Sequence, residues 1–305
     1  MEQLSLFNEP DPYPATPFDE VVGSQPRYVR RIRPPVKAHG GKYYLARRIV
    51  PILLTAPGSP TEYLEPCAFG GSVFLSLPRF EHEILGDVNP DVVHLWRLLA
   101  RHNTAEALRV QLWGTTYNER TFLEAREATP ESTIGTIQQP INFMIRSRFS
   151  RGGLGHTFAW SDRLRGGKPG DLHSWDTFCS DSLPMIIERT YGVEVVDDPC
   201  WWTVWESRDR VQRLIYADPS YMRETRTSKD AYGPFEMTRM HHFWLVSALR
   251  AHSGPAAISG YRSGDYDRWL KDWRRIDFDM PNNSGQRLNK KGNKQRRIES
   301  LWINW

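Results

Sequence analysis

The chain has few cysteines and no long apolar run, and each absence excludes certain classes of protein. Cys67, Cys179 and Cys200 are its three cysteines, and their wide spacing matches neither a metal site nor a disulfide framework. This usage is typical of a reducing compartment, so we expect a cytoplasmic protein. No stretch is long and apolar enough to span a membrane, and the N-terminus lacks the basic and apolar regions of a signal peptide.

A strong charge of one sign is also missing. The 40 Lys and Arg residues exceed the 36 Asp and Glu residues only slightly, giving a net charge of +4. A mildly basic balance is compatible with nucleic acid as a partner without identifying one. Internal repeats are absent, and the 39% hydrophobic content is enough for a buried core.

Composition divides the 305 residues into three parts. Residues 1–34 are rich in proline and polar side chains, which predicts a disordered tail. Residues 35–99 and 191–305 alternate short apolar strands with helical patterns, which predicts a parallel α/β sheet. Residues 100–190 lack that alternation and are interpreted as a mainly helical insertion. The strand patterns cover residues 61–65, 82–86, 193–196, 214–217, 256–259, 275–278 and 298–305, and Gly254 predicts the end of a helix over residues 237–251.

One acidic turn follows a short apolar run, in the stretch LIYADPSYMRE. Asp218-Pro219-Ser220-Tyr221 has the residue types of an ordinary turn, which is one interpretation. The other is an active site, because open α/β sheets bind ligands at the carboxyl ends of their strands.

Two further candidates follow earlier strands. Glu65-Pro-Cys-Ala-Phe-Gly-Gly-Ser72 is a glycine-rich turn that lets a ligand approach the backbone, although its spacing is not the dinucleotide pattern GxGxxG. Asp87 ends the next strand, where an acid binds ribose hydroxyls in nucleoside-binding sheets. A tight turn and a helix cap are the structural alternatives.

The order of these motifs resembles a known family. The chain carries K-A-H-G-G-K at residues 37–42, E-P-C-A-F-G-G-S-V-F at 65–74, D-V-N at 87–89 and D-P-S-Y at 218–221. It is similar to the DNA adenine-N6 methyltransferases of the Dam type (D12 class), which carry K-W-A-G-G-K, E-P-F-x-G-x-G-x-x-F, D-x-N and D-P-P-Y. Phe149–Leu154, Ile258–Tyr261 and Glu299–Asn304 resemble further family segments, so the resemblance runs from about residue 36 to the last residue.

The resemblance implies a Rossmann-like fold with a target-recognition insertion, and methyl transfer from S-adenosylmethionine to N6 of adenine in duplex DNA. It implies no metal, and it favours a monomer. The residues expected to hold S-adenosylmethionine are Lys42, Glu65, Pro66, Phe69, Gly70, Gly71, Asp87 and Asp218. The expected catalytic residues are Asp218, Pro219, Ser220 and Tyr221, with Asp218 and Pro219 accepting hydrogen bonds from the amine and Tyr221 stacking on a flipped-out adenine.

Three departures from the family pattern concern the catalytic turn, the cofactor site and the insertion. Ser220 replaces the second proline of the turn, Ala38 replaces an aromatic residue, and Ser150 replaces an asparagine of the insertion. Two other functions therefore stay open: N4-cytosine methylation, because the same turn suits any exocyclic amine, and a catalytically silent DNA-binding protein.

Basic clusters and the tail suggest macromolecular partners. The residues predicted to contact double-stranded DNA are Arg146, Arg148 and Arg151 of the insertion and Lys290, Lys291 and Lys294 near the end, with a solvated basic face as the alternative. Gln3, Leu4, Ser5, Leu6 and Phe7 are similar to the pentapeptide that docks proteins on the bacterial sliding clamp. A tail without a partner is the other interpretation.

Overall fold

A seven-stranded, mostly parallel sheet forms the centre of the protein, seen here in a computed structural model that describes residues 32–37, 41–128, 133–226, 233–281 and 296–305. The strand order is β5-β2-β1-β6-β7-β9-β8. These strands are β1 (Glu62–Glu65), β2 (His82–Gly86), β5 (Glu194–Val196), β6 (Arg213–Ala217), β7 (Ala256–Gly260), β8 (Arg274–Pro281) and β9 (Arg296–Ile303). Strands β5, β2, β1, β6 and β7 are parallel, whereas β9 runs antiparallel to both β7 and β8.

Helices pack on both faces of this sheet. Successive side chains of a strand point to opposite faces, so Leu214 and Tyr216 of β6 join one apolar cluster and Ile215 joins the other. The helices are α1 (Ala46–Leu53), α2 (Pro90–Leu99), α3 (His102–Trp113), α4 (Glu119–Glu127), α5 (Gln138–Arg148), α6 (Gly170–Thr177), α7 (Leu183–Thr190), α8 (Cys200–Glu206), α9 (Arg239–Ala251) and α10 (Gly264–Trp269). The predicted Rossmann-like α/β architecture is confirmed.

Local sequence explains where the helices near the sheet edge begin. Asn89 caps α2, because its side chain accepts a hydrogen bond from the Asp91 backbone N–H at 3.0 Å, and Pro90 occupies the first turn. Thr238 caps α9 through a reciprocal pair of hydrogen bonds with His241. Both caps lie directly after loops that line the candidate site described below.

Residues 100–190 form α3 to α7 and a small hairpin of β3 (Leu164–Arg165) and β4 (Lys168–Pro169). Their buried side chains, such as Leu108, Phe122 and Ile141, belong to the same apolar cluster as Phe74 and Trp96 near the sheet. The segment therefore shares its core with the α/β part, and its definition as a separate target-recognition unit stays a prediction.

Two local predictions are wrong. Helix α9 ends at Ala251 with His252 as its C-cap, and Gly254 does not have the positive φ of a glycine cap. Glycine is needed there for space, since a Cβ would lie 2.8 Å from His252 Nε2 and 2.9 Å from the Arg213 carbonyl oxygen. The last strand, predicted over residues 298–305, begins two residues earlier, at Arg296, and ends at Ile303.

Candidate functional site

Three acidic residues meet at one edge of the sheet. Strands β2, β1 and β6 are parallel neighbours, so the residues at their carboxyl ends, Asp87, Glu65 and Asp218, lie side by side. All three line a cavity of about 1120 Å³. This is the edge at which open α/β sheets bind their ligands, as the sequence predicted for Asp218.

The same cavity collects the residues of the predicted cofactor loop and catalytic turn. Its lining includes Lys42, Glu65, Pro66, Phe69, Gly70, Gly71, Asp87, Asp218, Pro219, Ser220 and Tyr221. Further lining comes from Arg146, Gly153, Leu154 and His156 of the helical segment, from residues 233–237, and from two stacked rings, Trp201 and His241, whose centroids lie 4.6 Å apart. Sequence reasoning missed this aromatic wall, because the two residues belong to different helices.

Asp218 has one oxygen held and one oxygen open. Lys42 Nζ lies 2.8 Å from Asp218 Oδ1, and the Ser259 hydroxyl donates to the same oxygen at 2.7 Å. Oδ2 has no hydrogen-bond partner within the described part of the chain, and 21% of the side chain is exposed. Burial raises the pKa of the Asp218 carboxyl, against the lowering effect of the Lys42 ammonium. The side chain is thus a fixed acceptor with a free oxygen.

Lys42 lies in a polar cluster behind Asp218. Its ammonium donates to the Tyr221 hydroxyl and lies 3.5 Å from Glu299 Oε2, and the Tyr221 hydroxyl donates to that same oxygen at 2.6 Å. The Tyr221 ring packs edge-on against the Tyr261 ring, with the two ring centroids 4.4 Å apart. Lys42 therefore contacts the catalytic turn, beyond the cofactor-holding role that was predicted. Sequence reasoning did not select Glu299, although it begins one of the segments that resemble the family.

Ser220 has a structural task that proline cannot perform. Its hydroxyl oxygen accepts a hydrogen bond from the Met237 backbone N–H at 3.2 Å. This contact joins the catalytic turn to the loop that precedes α9, and both line the cavity. The departure at this position adds a contact in place of the rigid ring.

The glycine-rich loop has a constrained backbone at two residues. Phe69, which stands at the first glycine of the family pattern, has a φ of +37°, and Gly71 has a φ of +58°. A Cβ at Gly71 would lie 2.8 Å from Trp96 Cζ2. The Trp96 indole N–H donates to the Phe69 carbonyl at 2.9 Å and the Phe69 N–H donates to Asp87 at 3.0 Å, which together hold this conformation.

Asp87 and Glu65 suit the polar groups of a nucleoside cofactor. The Asp87 carboxylate accepts from the backbone N–H groups of Phe69 and Asn89, and each of its oxygens keeps acceptor capacity for a ribose hydroxyl. Burial raises the pKa of Asp87 to about 6 and that of Glu65 to about 8. These acceptor groups and the cavity volume therefore fit S-adenosylmethionine.

The three arginines predicted to contact DNA differ in their exposure to solvent. Arg151 is exposed, and Arg146 lines the cavity while its guanidinium lies 2.7 Å from Asp91 Oδ2. Arg148 is buried: it donates to the carbonyl groups of Pro34 and Pro35 and lies over the ring of Phe178. Its guanidinium thus secures the chain entering the fold, and we remove it from the DNA-contacting set.

Several predicted residues lie outside the described residues. These are the lysines Lys290, Lys291 and Lys294, the tail residues Gln3 to Phe7, and Ala38. Among the residues that are described, no group of three or more His, Cys, Asp and Glu side chains is arranged to hold a metal ion. No helix of that same part of the chain is long and apolar enough to cross a membrane.

Comparison with known proteins gives relatives of one kind. A DNA adenine methylase of Vibrio cholerae serotype O1 is 31% identical over 121 residues, which are 39% of this chain and 42% of that protein. The type II methyltransferase M.CviBI of Paramecium bursaria Chlorella virus NC1A is 21% identical over 71% of this chain and 80% of its own. A crystal structure of protein LPL1258 from Legionella pneumophila covers 85% of this chain and 82% of its own at 13% identity, but its TM-score of 0.30 is too low to inform on fold or function.

A family model matches part of the chain. The sequence model of the D12 class N6 adenine-specific DNA methyltransferases matches residues 39–152, which include the cofactor loop, Asp87 and the helices up to α5. The chain spans about two fifths of the length of the Vibrio methylases that it matches. The resemblance drawn from the motifs is confirmed over residues 39–152, which match the D12 class N6 adenine-specific DNA methyltransferase family.

Proposed function

We propose that the protein is a site-specific, adenine-specific DNA methyltransferase, which transfers a methyl group from S-adenosylmethionine to N6 of adenine in duplex DNA. The observation that carries the proposal is the Asp218 carboxylate, fixed at the end of β6 by Lys42 and Ser259 with Oδ2 open to the cavity. The family of residues 39–152 and the named methylases support the same reaction.

The proposed role of the catalytic turn follows from the chemistry of the amine. The N6 lone pair is delocalised into the adenine ring, so the amine is a poor nucleophile until its hydrogens are held by acceptors. Asp218 Oδ2 and the Pro219 carbonyl accept one hydrogen bond each, which directs the lone pair out of the ring plane. The raised pKa of Asp218 makes it a stronger acceptor than an exposed carboxylate.

The proposed cofactor residues surround the glycine-rich loop. S-adenosylmethionine supplies the electrophilic methyl group when it is bound. Asp87 accepts from the ribose hydroxyls, Glu65 and Pro66 line the floor, and Phe69, Gly70 and Gly71 bring the backbone against the ligand.

The proposed DNA contacts come from the helical segment. The adenine must leave the duplex to reach Asp218, because its N6 is inaccessible inside a base stack. Tyr221 lines the cavity and contacts the flipped base, while the segment 100–190 recognises the target. Arg146, Arg151 and the lysines Lys290, Lys291 and Lys294 contact phosphates.

The two other candidate functions have less support. N4-cytosine methylation fits the turn equally well, but the matching family is adenine-specific. A silent DNA-binding protein was suggested by the departures at Ser220 and Ala38. Ser220 retains the carbonyl of Pro219 and gains a contact to Met237, so this departure does not remove an acceptor.

The direct test is transfer of a labelled methyl group to unmethylated genomic DNA, followed by nucleoside analysis. Wild type is expected to yield N6-methyladenine, and Asp218→Ala to yield none. Asp277→Asn, on β8 and away from the cavity lining, serves as a control that stays active. If N4-methylcytosine appears instead, the methylated base is cytosine and not adenine. If the protein binds DNA but transfers no methyl group, the catalytically silent DNA-binding protein is favoured.

Further partners and the setting are proposed from the tail and the relatives. We propose that Gln3 to Phe7 dock on the bacterial sliding clamp as an extended segment with apolar anchors, which would bring the enzyme to replicating DNA. The protein is proposed to act as a monomer in the cytoplasm of a bacterial or phage-infected cell.

A further inference from the structure

Glu299 reaches the candidate site from a strand that carries none of the predicted site residues. It lies on β9, which pairs with β7 on one side and with β8 on the other. Strand β7 carries Ser259. Its side chain is 14% exposed, and its Oε2 accepts from the Tyr221 hydroxyl and lies 3.5 Å from Lys42 Nζ. One carboxylate oxygen thus touches both residues that stand behind the catalytic turn.

Two carboxylates lie close to the single positive charge of Lys42. One ammonium lies between two carboxylates, Asp218 at 2.8 Å and Glu299 at 3.5 Å. At low dielectric, a single ammonium paired with a single carboxylate would largely compensate the charge that accepts the amine. Because Lys42 is shared, its ammonium compensates less of the Asp218 charge, so the ionised carboxylate is a stronger acceptor while its Oδ1 stays fixed.

Tyr221 adds a directional contact to this arrangement. Its hydroxyl accepts from Lys42 and donates to Glu299, and a hydroxyl supports both roles at once. The Tyr221 ring is held on its other side by Tyr261. Glu299 therefore fixes the orientation of the ring that follows Asp218-Pro219-Ser220 in the turn.

We propose that Glu299 is a positioning residue, which holds the Lys42 ammonium and the Tyr221 hydroxyl so that Asp218 presents an oriented, strongly accepting oxygen to the amine. The inference rests on the proposed methyltransferase function and deepens it. Glu299 does not line the cavity, so it acts through Lys42 and Tyr221 and not by touching the substrate.

The charge of Glu299 predicts the direction of a pH effect. The groups facing Asp218 are Lys42, Ser259, Tyr216, Glu65, Cys67, Tyr266 and Glu299. Burial raises the pKa of Asp218, Lys42 lowers it, and Glu299 raises it. The ionised form is the acceptor, so activity rises as pH increases through this pKa. Removing the charge at residue 299 moves that rise to lower pH.

The experiment compares Glu299→Gln, Glu299→Ala and Asp277→Asn with wild type. Asp277 is the matched control because it accepts from the Ser300 hydroxyl at 2.7 Å, next to Glu299 on the same pair of strands, and does not line the cavity. For each protein, kcat and KM for methyl transfer are measured against pH. S-adenosylmethionine affinity is measured separately by calorimetry, and folding by circular dichroism.

We expect Glu299→Ala to lower kcat by about 100-fold while the affinity for S-adenosylmethionine changes by less than about threefold. Glu299→Gln keeps an acceptor for Tyr221, so it is expected to recover about tenfold of that loss and to shift the acid limb of the profile to lower pH. It also serves as the informative variant if Glu299→Ala does not fold.

Three results would overturn the inference. Wild-type kcat in both Glu299 variants, an equal loss in Asp277→Asn, or a loss of affinity that accounts for the lost rate would each assign Glu299 no positioning role. A wild-type protein that methylates no DNA would overturn the proposed function first, and this inference with it.

Discussion

Arg189 and Glu83 form a bidentate ion pair inside the protein, with both nitrogen–oxygen distances at 2.7 Å. Arg189 lies on α7 of the helical segment and Glu83 lies on β2, and their side chains are 2% and 3% exposed. The guanidinium also donates to the Phe74 carbonyl at 3.1 Å and lies 4.0 Å above the Phe74 ring. This pair fastens the helical segment to the strand that ends at Asp87.

Arg189→Met is expected to destabilise the fold, because it leaves the Glu83 carboxylate buried without its partner. The loss in free energy of unfolding should be about 3–5 kcal/mol, measured by urea denaturation. The double variant Arg189→Met with Glu83→Leu should recover most of it. Arg120→Ala breaks the exposed pair with Glu124 and should change nothing measurable. Equal stability of Arg189→Met and wild type would contradict the prediction.

Ser259→Ala is expected to slow methyl transfer. It removes the 2.7 Å hydrogen bond that fixes Asp218 Oδ1, and kcat should fall about tenfold. Ser300→Ala is a close control, since Ser300 is equally buried and donates to Asp277 on the neighbouring strand. Similar kcat values for the two variants would show that the hydrogen bond to Asp218 has no special role.

Glu65→Gln is expected to change how stability depends on pH. Burial raises the pKa of Glu65 to about 8 from its ordinary 4.5, so the folded protein keeps a proton that the unfolded chain releases. Wild type therefore loses stability as pH rises through that window, and glutamine does not. The variant should gain about 1 kcal/mol per pH unit relative to wild type between those values, by urea denaturation.

Glu62→Gln provides a control of opposite sign. Burial alone would raise the pKa of Glu62. Arg210 and Arg213 together lower it by more than burial raises it, so the net shift of the pKa is downward. This carboxylate stabilises the fold above its unfolded pKa and loses that effect as pH falls. The variant should therefore lose stability relative to wild type as pH rises. A pH-independent difference for Glu65→Gln would mean that the Glu65 carboxyl is ionised in the fold.

Gly71→Ala is expected to damage the cofactor loop. The added Cβ meets Trp96 and the backbone has a positive φ, so the free energy of unfolding should fall by about 1–3 kcal/mol. S-adenosylmethionine affinity, measured by calorimetry, should fall as well. Gly58→Ala has a φ of +79° and open space, so it should lose only the backbone term and keep wild-type affinity. Intact affinity in Gly71→Ala would separate the loop from the cofactor.

Deletion of residues 1–8 is expected to abolish retention on an immobilised bacterial sliding clamp. The apolar anchors Leu6 and Phe7 lie within the deleted stretch. Methylation of a short DNA duplex without the clamp should be unchanged, because the tail precedes the residues that build the cavity. A version with residues 1–8 in scrambled order is the control. Unchanged clamp binding after deletion would remove this partner.

The sheet edge was predictable because its signals are local. Strands β1, β2 and β6 are short apolar runs that end at acids, and parallel strands bring such ends together. Asp218, Asp87 and Glu65 therefore meet where the sequence indicated. The position of β9 between β7 and β8 was not predictable, since strand order depends on long-range pairing.

Other residues were misread because charge patterns do not report burial. Arg148 belongs to a basic cluster in sequence, yet its guanidinium is buried on Phe178. Glu299 and Lys42 are far apart in the sequence, yet Glu299 Oε2 lies 3.5 Å from Lys42 Nζ. Their roles depend on contacts between distant segments, which no spacing in the sequence encodes.

The place of β9 in the sheet also affects how the protein is made. β9 is translated after every other strand, yet it lies between β7 and β8 and supplies Glu299 to the site. A nascent chain that ends before Arg296 therefore exposes two unpaired strand edges, which are prone to aggregate. Until β9 is in place, the sheet therefore lacks both the strand that joins β7 to β8 and the carboxylate that contacts Lys42.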